Sequence, residues 1–196
     1  RNKLELETKL QGDEIENKLS ESEMSDLMKK IELLMKEKSK KIELVQKINK
    51  EKNIIKQEKM FSLEFKKDPE NHFLLNSFAY NQYAQKKYNE GIKLVKKAIK
   101  ISDENGLLDS LGLGYFYLKE FEKALEMFDA CIEKDVTNNK ELGEHYFNRA
   151  NTYFDLGRLK ESEKDYNKCI FLKDGFENAA KLAIEKIKKN PLSGKF

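Results

Sequence analysis

Two cysteines, two histidines and no tryptophan leave a chain of 196 residues little material for chemistry. Metal binding asks for several histidine, cysteine or carboxylate side chains at short spacing. Cys131 and Cys169 stand 38 residues apart and His72 and His145 73 apart, with no further cysteine or histidine and no paired carboxylate at metal spacing. No metal site is expected on that ground. Gly112-x-Gly114 shares only its glycines with a phosphate loop, since no strand precedes it and no Lys-Ser/Thr follows. No serine or cysteine is paired with a base in the way that activates a nucleophile, and the carboxylates are scattered. The residues therefore predict no catalytic group, no metal, no cofactor and no enzyme.

What positions these residues is a repeated pair of helices. Leu108, Leu111 and Tyr115 recur at i, i+3 and i+7 with Gly112 on the same face, the stripe of an amphipathic helix. After Lys119-Glu120, a second face follows in Phe121, Ala124, Phe128, Cys131 and Ile132. Two such helices cannot enclose a core, so the unit needs neighbours like itself. KKYNEGIKLVKKAI, KEFEKALEMFDACI and GRLKESEKDYNKCI align, placing Tyr88, Phe121 and Leu159 in register at offsets of 33 and 38 residues. Ala98, Cys131 and Cys169 coincide too. The first helices match through Leu75, Phe78 and Ala79, then Leu108, Leu111 and Gly112, then Tyr146, Arg149 and Ala150.

These residues resemble the tetratricopeptide repeat, whose period is ~34 residues. The resemblance covers roughly residues 72–189 as three full repeats, with Gly91, Ala124 and Ser162 as the small residues opening the second helices. Gln82 for a tyrosine and Arg149 for an apolar residue depart from the pattern, as do Asp103, Val136 and Asp174 where a proline often ends a repeat. Cys131 and Cys169 fall on successive second helices, whose axes pack ~8–10 Å apart. A disulfide needs Cα atoms within ~7 Å, so both are expected as small buried residues.

The expected architecture is all-α: a helix-turn-helix solenoid of about three repeats over 68–190 with a C-terminal capping helix, a tail at 191–196 and a charged helical extension at 1–67. Phe176, Ala179, Ala180, Leu182, Ala183, Ile184 and Ile187 mark the capping helix and Asn190-Pro191 its stop. Asn71 or Asp68 is expected to cap the first repeat, and Gly157 to turn the third. Thr137-Asn138-Asn139 is expected to cap the third repeat's first helix. In the extension, 1–20 lacks a sustained stripe and is expected to be poorly ordered. Met24, Leu27, Met28, Ile31, Leu34 and Met35 then share a face, with Ser20, Ser22 or Ser25 as cap. Glu51-Lys52-Asn53 contains no glycine or proline, which predicts one continuous helix from Met24 to Phe65. Asp68-Pro69, with Leu44, Val45, Ile48 and Phe61 on core sites, keeps a degenerate fourth repeat open. Lys38, Lys52 and Lys59 interrupt a long coiled coil but permit a short antiparallel or bundled homo-oligomeric contact.

Net charge of +3 argues for no polyanionic partner, and no run reaches the ~20 apolar residues of a bilayer span. Two cysteines and no signal pattern predict a cytoplasmic protein. The opening Arg1 predicts a processed or cloned fragment, leaving a removed targeting segment open. What the resemblance implies is a scaffold whose first helices line a concave groove that binds a protein or peptide. The groove positions are Asn76, Tyr80 and Tyr83; Asp109, Leu113 and Phe116; Phe147, Asn151 and Phe154; with Tyr117 and Asp155 at the rim. Tyr80, Leu113 and Phe147 are the expected anchors, with Tyr83, Phe116 and Phe154 divided between groove and core. Relatives that clamp acidic chaperone tails use lysine, arginine and asparagine. The corresponding positions here are Asn76, Tyr80, Ser110, Glu144 and Asn148, so that ligand is disfavoured. So is nucleic acid, because the lysines fall on outer helices.

Overall fold

The structure, a computed structural model, describes residues 20–134, 139–173 and 175–189. The expectations for 1–19, for Thr137-Asn138, and for Asn190-Pro191 and the tail fall outside the described residues. Among those described, the chain is entirely helical. Its elements are α1 (Glu21–Asn49), α2 (Ile54–Lys67), α3 (His72–Ala84), α4 (Tyr88–Ile99), α5 (Gly106–Tyr117), α6 (Phe121–Lys134), α7 (Asn139–Asp155), α8 (Leu159–Leu172) and α9 (Glu177–Lys189). It divides into two compact units, Arg1–Glu43 and Leu44–Phe196.

In the second unit, α3/α4, α5/α6 and α7/α8 form successive hairpins closed by one recurring turn. Lys86, Lys119 and Gly157 each take positive φ, at 61°, 61° and 74°. The N–H groups of the next residues, Lys87, Glu120 and Arg158, reach back to Gln82 O, Tyr115 O and Tyr153 O at 2.9, 2.9 and 2.8 Å. This is a left-handed C-terminal cap that satisfies orphan carbonyls. Glycine supplies that conformation without steric cost in the third hairpin. In the first two, lysine accepts it because hairpin packing fixes the chain on both sides.

Small residues let the helices approach. A Cβ on Gly112 would lie 2.6 Å from Cε1 of Phe128 across the α5/α6 crossing, and one on Gly114 would run into Tyr83 and Ile92. Ala79, Ala98, Ala124, Ala150, Cys131 and Cys169 are fully buried at corresponding crossings. Both cysteines are thiols outside any disulfide. Arg149, out of place in an apolar stripe, is held by Asp165 through Nε (2.6 Å) and Nη2 (3.0 Å) and by Asp129 through Nη1 (2.6 Å). The bidentate fork replaces apolar packing with a planar ion pair that ties α7 to α8 and α6.

The expected continuous helix from Met24 to Phe65 does not form, because the chain breaks at 50–53. No glycine or proline is needed. Asn53 accepts from Lys56 N at 2.9 Å as an N-cap and donates its own N–H to Glu51 Oε1 at 3.0 Å, so side chains replace the missing backbone partners. Val45 and Ile48 of α1 then meet Phe61 of α2 and Leu74 of α3 in one apolar cluster. Polar contacts complete the joint: Asn81 Nδ2 donates to Ile54 O and Gln57 Oε1, and Gln82 Nε2 to Glu58 Oε1. Gln82 thus bonds to α2 where a tyrosine would have packed. At the other end, Ala180, Ile184 and Ile187 of α9 cover Ala150, Tyr166 and Cys169. Asn71 caps α3 through Leu74 N at 3.1 Å. In the first unit, Ser20 and Glu23 form a reciprocal capping box at the start of α1.

Candidate binding surface

The first helices of the hairpins, α3, α5 and α7, lie side by side, and the stripes that face away from their partners form the candidate surface. Two aromatic rings stand out on it. Tyr80 and Tyr117 are 41% and 43% exposed. Each rests on a rigid base: Tyr80 meets Tyr83 edge-on at 6.0 Å, and Tyr117 stacks on Tyr88 at 5.4 Å and touches Tyr83 at 5.8 Å. Tyr83 itself is buried and donates its hydroxyl to Ser110 O at 3.1 Å, while Ser110 Oγ donates to Tyr80 Oη at 3.2 Å. Burial of the hydroxyl end, with Asp109 as a nearby negative charge, pushes the Tyr80 phenol well above its ordinary range. The Tyr80 phenol thus stays neutral and acts as a hydrogen-bonding anchor of the aromatic platform.

Elsewhere the expected groove residues divide. Leu113 is half-buried and belongs to none of the apolar core clusters. Asn76 is half-buried, with its Oδ1 shielded and lacking a hydrogen-bond partner. Asp155 is exposed at the end of α7. Phe116 packs against Tyr117 and Phe121, and Phe154 joins the α7–α9 core. Phe147, expected as an anchor, is held between Tyr166 (5.7 Å) and Phe176 (5.2 Å), because α9 closes over that end of the stack. Asn151 is engaged by the Tyr166 hydroxyl at 2.6 Å, and burial raises that phenol to about 12.

Asp109 is not presented to a ligand. It is buried, accepting from Asn148 Nδ2 at 3.1 Å on both carboxylate oxygens and meeting His145 Nδ1 at 2.8 Å. Its position on α5 faces α7, so it joins the second and third repeats. Cys131 of α6 comes to the same place: one ligand-type atom each of Asp109, Cys131 and His145 lie within 4.8 Å of one another, all buried. Sequence spacing concealed this cluster because its members come from three helices. The repeat alignment held the available signal, since it sets Cys131 at the end of one repeat and His145 early in the next.

A sequence model described as the tetratricopeptide repeat matches residues 144–173, the greater part of α7 and α8. The chain carries a tetratricopeptide repeat at these residues. Such repeats are generally non-catalytic modules of protein–protein interaction. Over 60 residues it is 43% identical to the tetratricopeptide repeat and J domain-containing co-chaperone DNJ1 of Fusarium oxysporum f. sp. lycopersici, a stretch covering 31% of this chain and 11% of that protein. Among solved structures, the crystal structure of MamA superposes with a TM-score of 0.58 at 19% identity, covering 71% of this chain and 80% of that one. The first tetratricopeptide repeat domain of Spaghetti (RPAP3), bound to the HSP90 peptide SRMEEVD, gives a TM-score of 0.52 at 25% identity, over 60% of this chain and 90% of that one. No helix among the described residues is long and apolar enough to cross a membrane.

Proposed function

We propose that the α3–α5–α7 face binds a segment of another polypeptide, with Tyr80, Tyr117 and Leu113 as its anchors. The observation that carries this reading is the pair of exposed tyrosine rings held on a buried aromatic base. Rings fixed before binding offer contact area at little entropic cost. The peptide-bound repeat domain of Spaghetti supports a peptide as the class of ligand. An acidic tail does not fit: none of Asn76, Tyr80, Ser110, Glu144 and Asn148 is cationic, and Ser110 and Asn148 are already engaged internally. Asp155 favours a segment that carries a basic residue beside its apolar anchors.

Peptide-library selection on the full chain, followed by titration, tests this. Tyr80→Ala and Tyr117→Ala should each weaken the selected peptide by ~30-fold, the equivalent of ~2 kcal/mol for a desolvated anchor. Lys164→Ala, on the exposed side of α8, should change little. Unchanged binding to a folded Tyr80→Ala/Tyr117→Ala double variant would remove the groove as the site. Because both cysteines are buried thiols outside any disulfide, a reducing compartment suits the chain. We propose a cytoplasmic location, which imaging of the tagged full-length protein checks.

A second reading concerns α1. Met24, Leu27, Met28, Ile31, Leu34 and Met35 are 43–68% exposed on one helix face. The flanking charges are asymmetric, with Glu23 and Asp26 at one end and Lys36, Lys40 and Lys41 at the other. A second copy laid antiparallel brings opposite charges together, whereas a parallel one sets like against like. We propose an antiparallel homodimer through this face, kept weak because Lys38 ends the stripe after two heptads. Sedimentation equilibrium should show the full chain dimerising, and Ile31→Glu/Leu34→Glu should make it monomeric. A parent chain still monomeric at ~100 μM would rule the dimer out.

A further inference from the structure

We propose that Asp109, Cys131 and His145 form a binding site for a thiophilic divalent cation of the zinc class. The donor set suits such an ion: a thiolate and an imidazole, with a carboxylate oxygen as third ligand. Bonds of ~2.0–2.3 Å at tetrahedral angles hold ligand atoms ~3.3–3.8 Å apart. Here the His145–Asp109 pair stands at 2.8 Å and all three atoms lie within 4.8 Å, so spacing around the ion requires only small side-chain rotations. The charges balance as well. As the Sγ–metal bond forms the thiol proton leaves to solvent, the carboxylate and thiolate together offset the two positive charges, and the neutral imidazole adds its lone pair. No net charge is left buried, which removes the main penalty of a charged interior site.

The surroundings fit that role. Asn148 donates to both oxygens of Asp109 at 3.1 Å, the kind of outer contact that orients a ligating carboxylate. Asn105 is tied to Cys131, donating Nδ2–H to its carbonyl at 2.9 Å and accepting the thiol at its own carbonyl oxygen at 3.6 Å. The side-chain Oδ1 of Asn105 is buried and has no hydrogen-bond partner. Cys169 holds the equivalent place in the next repeat, yet belongs to no such cluster among the described residues. A bound ion would pin α5, α6 and α7 together and so stiffen the joint between the second and third repeats.

The test uses the full chain freed of metal by a chelator, with Co2+ as a spectroscopic probe and Zn2+ as competitor. One Co2+ per chain should bind with a thiolate-to-cobalt charge-transfer band in the near ultraviolet, and Zn2+ should displace it and raise the thermal midpoint. Cys131→Ala, tolerated because Ala98 occupies the same register in the first repeat, should weaken binding ~100-fold or more. Asp109→Asn should also weaken it, and Cys169→Ala should leave it unchanged. Absence of the charge-transfer band in the parent overturns the site, as does a band that survives Cys131→Ala or disappears with Cys169→Ala.

Discussion

Phe128→Ala should destabilise the repeat stack by ~3–5 kcal/mol, read by chemical denaturation, the usual cost of removing a fully buried phenylalanine. The ring is fully buried, and it occupies the space that a side chain at Gly112 would claim. Gly112→Ala alone should cost ~1–3 kcal/mol by overpacking, less whatever the better helix propensity of alanine returns. Combined, the two changes should be less harmful than their sum, because the new methyl enters the volume vacated by the ring. Residues in contact show interaction energies of ~0.5–3 kcal/mol, whereas independent sites add to within ~0.5 kcal/mol. A cycle that closes additively would mean that Phe128 and Gly112 do not meet, and that the α5/α6 crossing is wrongly placed.

Asp109→Ala should be comparably damaging, at ~3–5 kcal/mol, because it leaves two buried polar partners without their acceptor. Removing the carboxylate strands His145 Nδ1 and the Asn148 amide in a buried seam, where unpaired polar groups are costly. Asp109→Asn preserves shape and one acceptor, so it should lose less. Denaturation measured with a chelator present excludes any contribution from metal. Hydrogen exchange should show the loss concentrated at α5 and α7, the helices the carboxylate joins. A variant within ~0.5 kcal/mol of the parent would show that the network adds nothing to the joint between repeats.

Much of the fold was legible because helix faces are local. The spacing of Leu108, Leu111 and Tyr115, or of Phe176, Ala180, Ile184 and Ile187, specifies a buried stripe whatever lies opposite it. The register of three copies then revealed which small residues must coincide at crossings, and Ala98, Cys131 and Cys169 are all buried. A break between helices was legible at Lys119-Glu120 as well as at Gly157, but only Gly157 announced the left-handed turn. Lys86 and Lys119 adopt the same left-handed geometry without a residue type that advertises it.

Sequence by itself thus determined the all-α repeat, its hairpin pairing and its capping helix, since these follow from periodicity and from the need of each unit for neighbours like itself. Tertiary structure decided which polar and aromatic residues remain available. Asp109 and Phe147 sit at groove positions in the pattern, yet one is sealed by His145 and Asn148 and the other by Phe176. The break at 50–53 was settled by Asn53 and Glu51 reaching backbone groups, an option that composition does not display. Asp109, Cys131 and His145 converge because three helices cross at one point. Spacing along the chain orients each side chain on its own helix, but only the crossing geometry of neighbouring helices decides which side chains meet.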